Sequence, residues 1–378
     1  MMRMLRPFLA VVLFCLAGTA AAAETVKVGA LLAVTGPASF LGAPEARTLE
    51  MLVEKANAAA GEKGFKIELI IKDTGASPEK AVSMAKQLIE EHQVFAIIGP
   101  STSGESMQVK QLAEESGTLL LSCAAAEVIV QPVAKWVFKS PQSDSDAVRR
   151  IFDHAKKLGL TKIGVLSSNT GFGKAGKAQL EKLAPGYGLT IVASEVYDKA
   201  ATDLTAEVTK MKAAGIEALV NWSIEPAQAI VLKNARQIGM TIPIFQSHGF
   251  GNLAYVKAAG AAAEGVIFPA GRLLVAESLP DSNPQKKLLV DYKTSYEARY
   301  KEDVSTFGGH AYDAFLMLQA GLKAGGTDKQ KARDAIEKIQ GMAGTAGVFN
   351  LSATDHCGLT KDAFEMLVVK NGAFQILK

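Results

Sequence analysis

What this chain lacks excludes several classes of protein. It has only three cysteines among 378 residues, and its five histidines are scattered without the spacing of a metal site. No G-x-S-x-G segment is present, and Ser101 and Ser103 have no evident base near them in sequence, so hydrolysis is weakly supported. The 41 basic residues against 38 acidic ones give no electrostatic reason to bind nucleic acid or anionic lipid. We therefore expect no metal, no cofactor and no nucleic-acid partner.

Long apolar runs are also missing, apart from one short run near the start. Phe8–Ala17 follows Arg3 and Arg6 and precedes the small residues Ala21–Ala23. A positive start, a short apolar run and a small-residue cleavage site are typical of a secretory signal peptide, which we predict over residues 1–23. The run is shorter than the roughly 20 residues that span a bilayer, so a membrane anchor is disfavoured.

The length and composition predict two globular domains. A chain of 378 residues is longer than one compact core usually holds, and 48% apolar with 21% charged residues is typical of folded protein.

Cys123 and Cys357 remain after the leader. A secreted protein could join them, but Cys123 ends a predicted buried strand, so we expect two free and buried thiols.

Strands alternate with helices along most of the chain, which predicts an α/β fold with parallel, doubly wound sheets. The first half runs from the strand Val26–Val34 to Val137–Lys139, and the alternation starts again with Lys162–Ser167. The boundary falls near Ser140–Asp144. At the end of the chain, Asn371-Gly372 lies between two strand-like runs and predicts a β-hairpin.

Two predicted strands of the first half end in small residues. Val94–Ile98 runs through Gly99-Pro100 into Ser101–Ser103 and a helix, and Gly117–Cys123 ends at Ala124-Ala125-Ala126. Parallel strands present their carboxyl ends at one edge of the sheet, where ligands bind, and helix N-termini there favour anions. One wall of a ligand pocket is expected at this edge, with Ser103 as N-cap or ligand contact.

In the second half, aromatic residues occupy the corresponding strand ends. Phe172 follows Lys162–Ser167, Trp222 ends the strand Ala218–Trp222, and Ser247-His248 follows Ile244–Gln246. Core packing is the commoner fate of such rings, but their place at strand ends favours a pocket. A wall of backbone donors and hydroxyls facing a wall of rings suits a small carboxylate with an apolar tail.

One segment suggests an enzyme instead. Gly171–Gly176 matches G-x-G-x-x-G, opens a helix, and has Glu195 about 20 residues further on, as a dinucleotide site would. Against this interpretation, the spacer Ser168–Thr170 separates the motif from its strand. The alternative is that the glycines flank an aromatic residue, Phe172, at the sheet edge.

With these residues in view, the chain resembles the periplasmic branched-chain amino acid-binding proteins of ATP-driven importers. The order and spacing of several short motifs carry the resemblance: Thr35-Gly36-Pro37-Ala38, Asn57–Gly61, Asp73 before Ser77-Pro78, Ile98–Ser103, Phe172-Gly173, Glu264-Gly265-Val266, Ala311–Ala314 and Asp355-His356 with Gly358-Leu359. The resemblance implies a type I periplasmic binding protein fold, with two Rossmann-like lobes joined by three hinge crossings. It implies an N-terminal lobe of residues 24–142 plus 271–349 and a C-terminal lobe of residues 143–270 plus 350–378.

The resemblance also implies a ligand site. Ser103 matches the hydroxyl that binds the ligand's carboxylate, and Ala124 and Ala126 match positions whose backbone groups hold its head. The second lobe would add Phe172, Trp222, Ser247 and His248, and Phe40 would come from the turn-rich loop after the first strand.

This chain departs from the family at three of these positions. Ala126 stands where threonine is common, and Phe172 stands where tyrosine is usual. The family places an acid near Ser247–Gly249 to pair with the ligand's ammonium, and this chain has none there. A buried ammonium without a counter-charge is costly, whereas His248 could pair with a carboxylate or a hydroxyl.

The resemblance implies a periplasmic solute-binding protein that delivers a small carboxylate to a membrane permease of an ABC transporter. The ligand would be a branched-chain amino acid or a related aliphatic or aromatic acid. Such a protein is a monomer and not an enzyme. An extracytoplasmic ligand-sensing domain of the same fold and a secreted dinucleotide-dependent enzyme remain the alternatives.

Overall fold

The computed structural model describes residues 24–61 and 64–378, so the predicted signal peptide lies outside the described residues. The strands are β1 Glu24–Leu32, β2 Phe65–Asp73, β3 Ala96–Ile98, β4 Leu119–Ser122, β5 Val137–Lys139, β6 Lys162–Ser168, β7 Thr190–Tyr197, β8 Ala218–Trp222, β9 Ile244–Gln246, β10 Ile267–Ala270, β11 Met342–Ala343, β12 Val348–Phe349, β13 Glu365–Lys370 and β14 Ala373–Ile376. The α-helices are α1 Ser39–Ala59, α2 Pro78–Lys86, α3 Ser103–Ser116, α4 Asp144–Lys157, α5 Gly171–Leu183, α6 Thr205–Ala213, α7 Ala227–Gln237, α8 Leu253–Ala259, α9 Lys286–Tyr300, α10 Thr306–Gly325 and α11 Lys329–Glu337. Shorter helical turns connect several of them.

The first lobe is built on a five-stranded parallel sheet in the order β2-β1-β3-β4-β5. Its central strands are continuous apolar runs, because helices cover both faces of a parallel sheet. Residues such as Leu31, Ile97 and Leu120 are fully buried. They pack with apolar side chains of α1, α2, α3, α10 and α11 into one core.

The second lobe has a seven-stranded sheet in the order β14-β13-β10-β9-β8-β6-β7. Its strands are parallel except that β13 runs antiparallel to β10 and to β14. The β13–β14 hairpin turns at Asn371 and Gly372, whose φ angles of 53° and 71° are those that a tight hairpin turn needs. The hairpin predicted from Asn-Gly is confirmed, and so is the doubly wound α/β fold.

The chain passes between the lobes after β5, after β10 and between β12 and β13, and these crossings are bonded to one another. Gln142 Nε2 donates to Ala346 O at 2.7 Å. Cys357 Sγ donates to the Pro141 carbonyl at 3.4 Å. Arg272 forms an ion pair with Glu365 at 2.9 Å. Each bond joins a residue on one crossing to another crossing or to a residue next to one, so the three segments form a connected hinge.

Some local features differ from the sequence expectations or add to them. The short β11–β12 hairpin was not predicted. The stretch 279–284 begins with the buried Leu279, which packs on α9. Cys123 and Cys357 are both free and buried, as predicted. Among the described residues, no helix combines the length and the apolar character needed to cross a bilayer.

A buried carboxylate fixes the segment before β12 to α10. Asp313 accepts hydrogen bonds from Thr345 N at 2.6 Å, from Thr345 Oγ1 at 3.0 Å and from Ala346 N at 2.8 Å. Burial raises the pKa of Asp313 to about 7, partly opposed by these donors. The carboxylate therefore satisfies three polar groups that would otherwise be buried without an acceptor.

We expect Asp313→Ala to lower the free energy of unfolding by about 1–3 kcal/mol, because it leaves those donors unpaired. Urea unfolding followed by circular dichroism measures the change. Asp291→Ala is the matched control, since Asp291 is an exposed α9 residue whose ion pair with Lys287 is worth roughly 0.5 kcal/mol or less. Equal stability of the two variants would contradict a structural role for Asp313.

Candidate functional site

The carboxyl edges of the two sheets face each other across a cleft, and the turns after the strands form its walls. The first lobe contributes Ser101–Ser103 after β3 and Cys123–Ala126 after β4. The second lobe contributes Phe172 at the start of α5, Ser223–Glu225 after β8 and Ser247–Gly249 after β9. The site therefore lies where ligands bind in open α/β folds.

Helix α3 begins at this cleft with a capping box. Thr102 Oγ1 accepts from Glu105 N at 3.3 Å, and Glu105 Oε2 accepts from Thr102 N at 3.2 Å. Ser103 Oγ accepts from Ala126 N at 3.3 Å, which leaves its hydroxyl hydrogen free to donate. The N–H groups of Ser103 and Gly104 have no acceptor within the helix, because they belong to its first turn. This end of α3 is suited to an anion.

Helix α5 of the second lobe begins directly opposite. Its N-cap Thr170 accepts from Gly173 N at 3.2 Å. The two helix ends touch through glycines: a Cβ placed on Gly171 would lie 2.7 Å from Gly104 Cα. Two positive helix ends therefore meet across the cleft, which adds to its preference for a negative charge.

The cleft has two chambers, and Gly104 and Gly171 line the outer one. The inner chamber measures about 20 Å³. Its lining consists of Leu41, Ser101, Ser103, Cys123, Ala124, Ala125, Phe172, Ile224, His248, Gly249, Phe307 and His310. Because this volume is close to that of one bound water, a larger ligand enters only when the lobes or side chains separate.

Aromatic rings surround the histidine of the second lobe. The ring centroid of His248 lies 5.4 Å from Phe172, 5.7 Å from Trp222 and 5.6 Å from Phe364. Across the chamber, His310 on α10 lies 6.0 Å from Phe307. These rings give the inner chamber an apolar shell around a few polar atoms, as is typical of small-molecule sites.

Both histidines are buried, and atoms of their rings lack partners. His248 and His310 are each 6% exposed. Nδ1 and Nε2 of His248 and Nδ1 of His310 have no hydrogen-bond partner within the described part of the chain. Burial, with His310 and Lys139 nearby, lowers the pKa of His248 well below its usual value. Burial and Lys139 lower the pKa of His310 to about 3. Both rings are therefore neutral at pH 7.

The outer chamber opens towards solvent and measures about 340 Å³. Phe172 and Ile224 line both chambers. Glu225, only 5% exposed, lies in its wall near Lys199. Glu225 Oε2 accepts from Ser223 Oγ at 2.7 Å and from Ile224 N at 3.2 Å. The sequence analysis did not identify this buried acid, because the family places its acid near Ser247–Gly249 and Glu225 lies in a different turn.

The predicted site residues divide into two groups. Ser103, Ala124, Phe172 and His248 line the inner chamber. Ala126 contributes through its N–H to Ser103, and Trp222 and Ser247 are buried behind the lining.

Phe40 lies elsewhere. It borders a groove of about 660 Å³ beside Arg47 and Lys257, and its ring packs edge-on to Tyr255 at 5.2 Å. The α1 backbone directs Phe40 to that groove, whereas Leu41 next to it faces the inner chamber.

His310 and Phe307 were not predicted as site residues. Both lie in the first turns of α10, a helix that otherwise belongs to the core of the first lobe. In the sequence, Phe307-Gly308-Gly309-His310 has the pattern of an ordinary helix start. Only the packing of α10 against the cleft brings His310 opposite His248.

Packing accounts for all three glycines of the predicted dinucleotide motif. Gly171 touches Gly104 across the cleft. A Cβ on Gly173 would lie 2.0 Å from Ser168 O, and one on Gly176 would lie 2.0 Å from Trp222 Nε1. The motif therefore lets α5 pack tightly on β6, β8 and the opposite lobe.

The scattered histidines and acids form no metal site within the described ranges. His356 illustrates their structural use: Nδ1 lies 2.8 Å from Val137 O, Nε2 lies 3.2 Å from Glu337 Oε1, and the ring stacks on Phe138. It belongs to the third crossing rather than to the cleft.

A family model described as periplasmic binding protein matches residues 25–373. The chain belongs to this family. A relative from Pseudomonas aeruginosa, named a leucine-, isoleucine-, valine-, threonine- and alanine-binding protein, is 25% identical over 338 residues, which cover 88% of each chain.

Solved structures agree with the fold of this periplasmic binding protein. An extracellular ligand-binding receptor from Rhodopseudomonas palustris HaA2 superposes with a TM-score of 0.87 at 28% identity, covering 94% of this chain and all of the other. The branched-chain amino acid transporter substrate-binding protein LivJ from Streptococcus pneumoniae, solved with isoleucine, superposes with a TM-score of 0.81 at 26% identity, covering 93% of this chain and 98% of that one.

We expect Gly176→Ala to lower the free energy of unfolding by about 1–3 kcal/mol, since the new methyl group overpacks against the buried Trp222. Thermal and urea unfolding measure this. Gly186→Ala is the control, because nothing lies within 4 Å of a Cβ there. Unchanged stability of Gly176→Ala, together with a melting shift on adding NAD, would favour the dinucleotide interpretation instead.

Proposed function

We propose that this periplasmic binding protein is the solute receptor of an ABC importer, which captures a small carboxylate between its lobes and presents it to a membrane permease. The observation that carries this proposal is the convergence of free donors on the inner chamber. Ser103 in the first turn of α3 and Phe172 in the first turn of α5 line this chamber beside aromatic rings, and Gly104 and Gly171 of the same two helix starts line the adjoining outer chamber. The site residues Ser103, Ala124, Ala126, Phe172, Trp222, Ser247 and His248 are part of the proposal, whereas Phe40 lies outside this chamber.

Capture by closure follows from the position of these groups on different lobes. In the open form, the end of α3 and the rings of the second lobe are separately hydrated. Closure brings them to one ligand and expels water, which strengthens each charge-assisted hydrogen bond. The three bonded crossings leave a hinge about which two rigid cores can move. No covalent bond is made, and opening releases the ligand unchanged.

The cellular setting of the proposal is supported by the sequence and by the relatives. Residues 1–23 have the sequence pattern of a secretory signal peptide, and the family is one of periplasmic binding proteins. LivJ is named as part of a branched-chain amino acid transporter. A permease in the membrane is the partner that such a receptor requires, and we propose that the receptor acts as a monomer.

A ligand screen tests the proposal. We expect at least one of leucine, isoleucine, valine, phenylalanine, their keto acids or benzoate to raise the melting temperature. A ligand at 100 times its dissociation constant stabilises the folded state by about 2.7 kcal/mol. For the acid that binds, Ser103→Ala should weaken affinity by about 1.5–3 kcal/mol in titration calorimetry, because a hydrogen bond to a charged group is lost.

The matched control is Ser116→Ala, which removes an exposed hydroxyl from the other end of the same helix. Its affinity should equal that of the unmodified protein. Equal affinity of Ser103→Ala and Ser116→Ala would remove Ser103 from the site.

Closure has its own prediction. Gly171→Ala places a methyl group 2.7 Å from Gly104 Cα, a contact that exists only when the lobes are together. Affinity should fall by about 1–3 kcal/mol, the usual cost of overpacking. The melting temperature without ligand should be unchanged or slightly higher, since alanine favours the helix.

Lys174→Ala, at an exposed position on the same helix, is the control for a change in α5 alone. Titration calorimetry and thermal melts of the two variants make the comparison. Full affinity of Gly171→Ala would mean that the ligand-bound lobes do not meet at these glycines.

A further inference from the structure

We infer that His248 and His310 clamp the anionic group of the ligand from opposite lobes, and that this ligand is a carboxylate without a neighbouring ammonium, bound with uptake of one proton. This inference rests on the proposed function and names the ligand class and the proton linkage of the same site. His310 is the residue that the sequence did not assign to the site.

The geometry brings two unpaired imidazoles to one enclosed space. His248 follows β9 of the second lobe, and His310 lies on α10 of the first lobe. Both line the inner chamber, and each has a ring nitrogen without a partner. A buried polar atom without a hydrogen bond costs roughly 1–3 kcal/mol, so such atoms call for a partner that binds there.

The charges of the side chains that line the inner chamber indicate which chemical group can bind there. Within the described part of the chain, no aspartate or glutamate lines the inner chamber. Its polar groups are the Ser101 and Ser103 hydroxyls, the Cys123 thiol and the two imidazoles. An ammonium placed there would be buried without a counter-charge, which is strongly unfavourable. A carboxylate would accept hydrogen bonds from Ser103, from the end of α3 and from the histidines.

Several ionisable groups lie around the chamber. Lys139 Nζ donates to Pro141 O at 2.8 Å, and Asp313, one turn beyond His310 on α10, accepts its three bonds from Thr345 and Ala346. Glu45 on α1 accepts from Ser101, and burial raises its pKa well above the usual value. Burial also raises the pKa of the Cys123 thiol. Burial raises the pKa of Asp144 at the start of α4 to about 6, and Lys139 opposes that shift. None of these three acids lines the inner chamber.

Glu225 is the one acid that could favour an amino acid. It lies in the wall of the outer chamber, and Phe172 and Ile224 stand between the two chambers. One of its oxygens already accepts two hydrogen bonds from its own turn. An ammonium could reach Glu225 only from the outer chamber, which the helix-start residues Gly104 and Gly171 also line, whereas the Ser103 hydroxyl and the two imidazoles lie in the inner chamber. The amino-acid alternative thus makes a distinct prediction about Glu225.

Proton uptake follows from linkage. In the free protein both imidazoles are neutral at pH 7, because burial lowers their pKa values. A carboxylate beside them favours the charged form and raises the pKa of the nearer ring. One proton then passes from solvent to an imidazole nitrogen, and an imidazolium–carboxylate pair forms. Affinity should therefore rise as pH falls, until the carboxylate itself is protonated.

Two pairs of probes separate the ligand classes. Leucine is compared with 4-methylpentanoate, and phenylalanine with 3-phenylpropanoate, since each pair differs only by the α-ammonium. We expect at least one amino-free acid to bind at least tenfold more tightly than its partner. Titration calorimetry at pH 7 in phosphate and in Tris should reveal about one proton taken up per ligand bound.

Substitutions of the two histidines test whether the proton binds to one of them. His310→Asn and His248→Gln keep a hydrogen-bonding group but cannot become charged. Each should weaken binding of the amino-free acid about 10- to 100-fold, and the variant that removes the protonated ring should also abolish the difference between buffers. His154→Asn, a partly buried histidine on α4 outside the cleft, is the control and should change neither quantity. Thermal melts establish that each variant is folded, and the buffer comparison on the unmodified protein is independent of them.

Each outcome decides one part of the proposal. Tighter binding of the amino acids, weakened by Glu225→Gln, would overturn the clamp and leave the receptor function intact. Binding of an amino-free acid without proton uptake would overturn the proton linkage. If none of the four acids binds at millimolar concentration, the clamp is wrong as proposed, and the wider ligand screen described above then decides the receptor function separately.

Discussion

Two helix N-termini facing each other across a narrow cleft are the constraint on which the site depends. Helices α3 and α5 begin on different lobes and meet at Gly104 and Gly171. Each end carries unpaired N–H groups and a partial positive charge, so their approach is unfavourable unless something negative lies between or beside them. A bound anion offsets this cost, which gives a physical reason for ligand binding and lobe closure to occur together.

The polar groups of the hinge and those of the inner chamber differ in how they are satisfied. Near the hinge, Asp313, Arg272 and Gln142 all have partners on another segment of the chain. In the chamber, atoms of His248 and His310 are buried without partners among the described residues. The first set connects the segments that join the lobes. The second set costs stability in the free protein, which is common where a ligand later supplies the missing bonds.

The alternation of strands and helices made the fold predictable, because buried parallel strands are long apolar runs and the helices between them have a regular period. The Asn371-Gly372 hairpin was predictable for a local reason, the positive φ angles of its turn. The β11–β12 hairpin was not, since two-residue strands leave no periodicity. The Gly171–Gly176 pattern suggested a nucleotide site because tight helix packing and phosphate binding both require glycine at a helix start.

The sequence by itself determined the α/β fold, the small residues at the carboxyl ends of β3 and β4, and the aromatic residues opposite them. Those features follow from the local pattern of residue types and from the fact that parallel strands end at the same edge of a sheet. Only the tertiary structure decided that His310 meets His248, that Phe40 faces another groove and that Glu225 lies in the outer chamber. These facts depend on how α10 and the turns of two lobes pack against one cleft. Contacts between distant segments leave no periodic signal in a single chain.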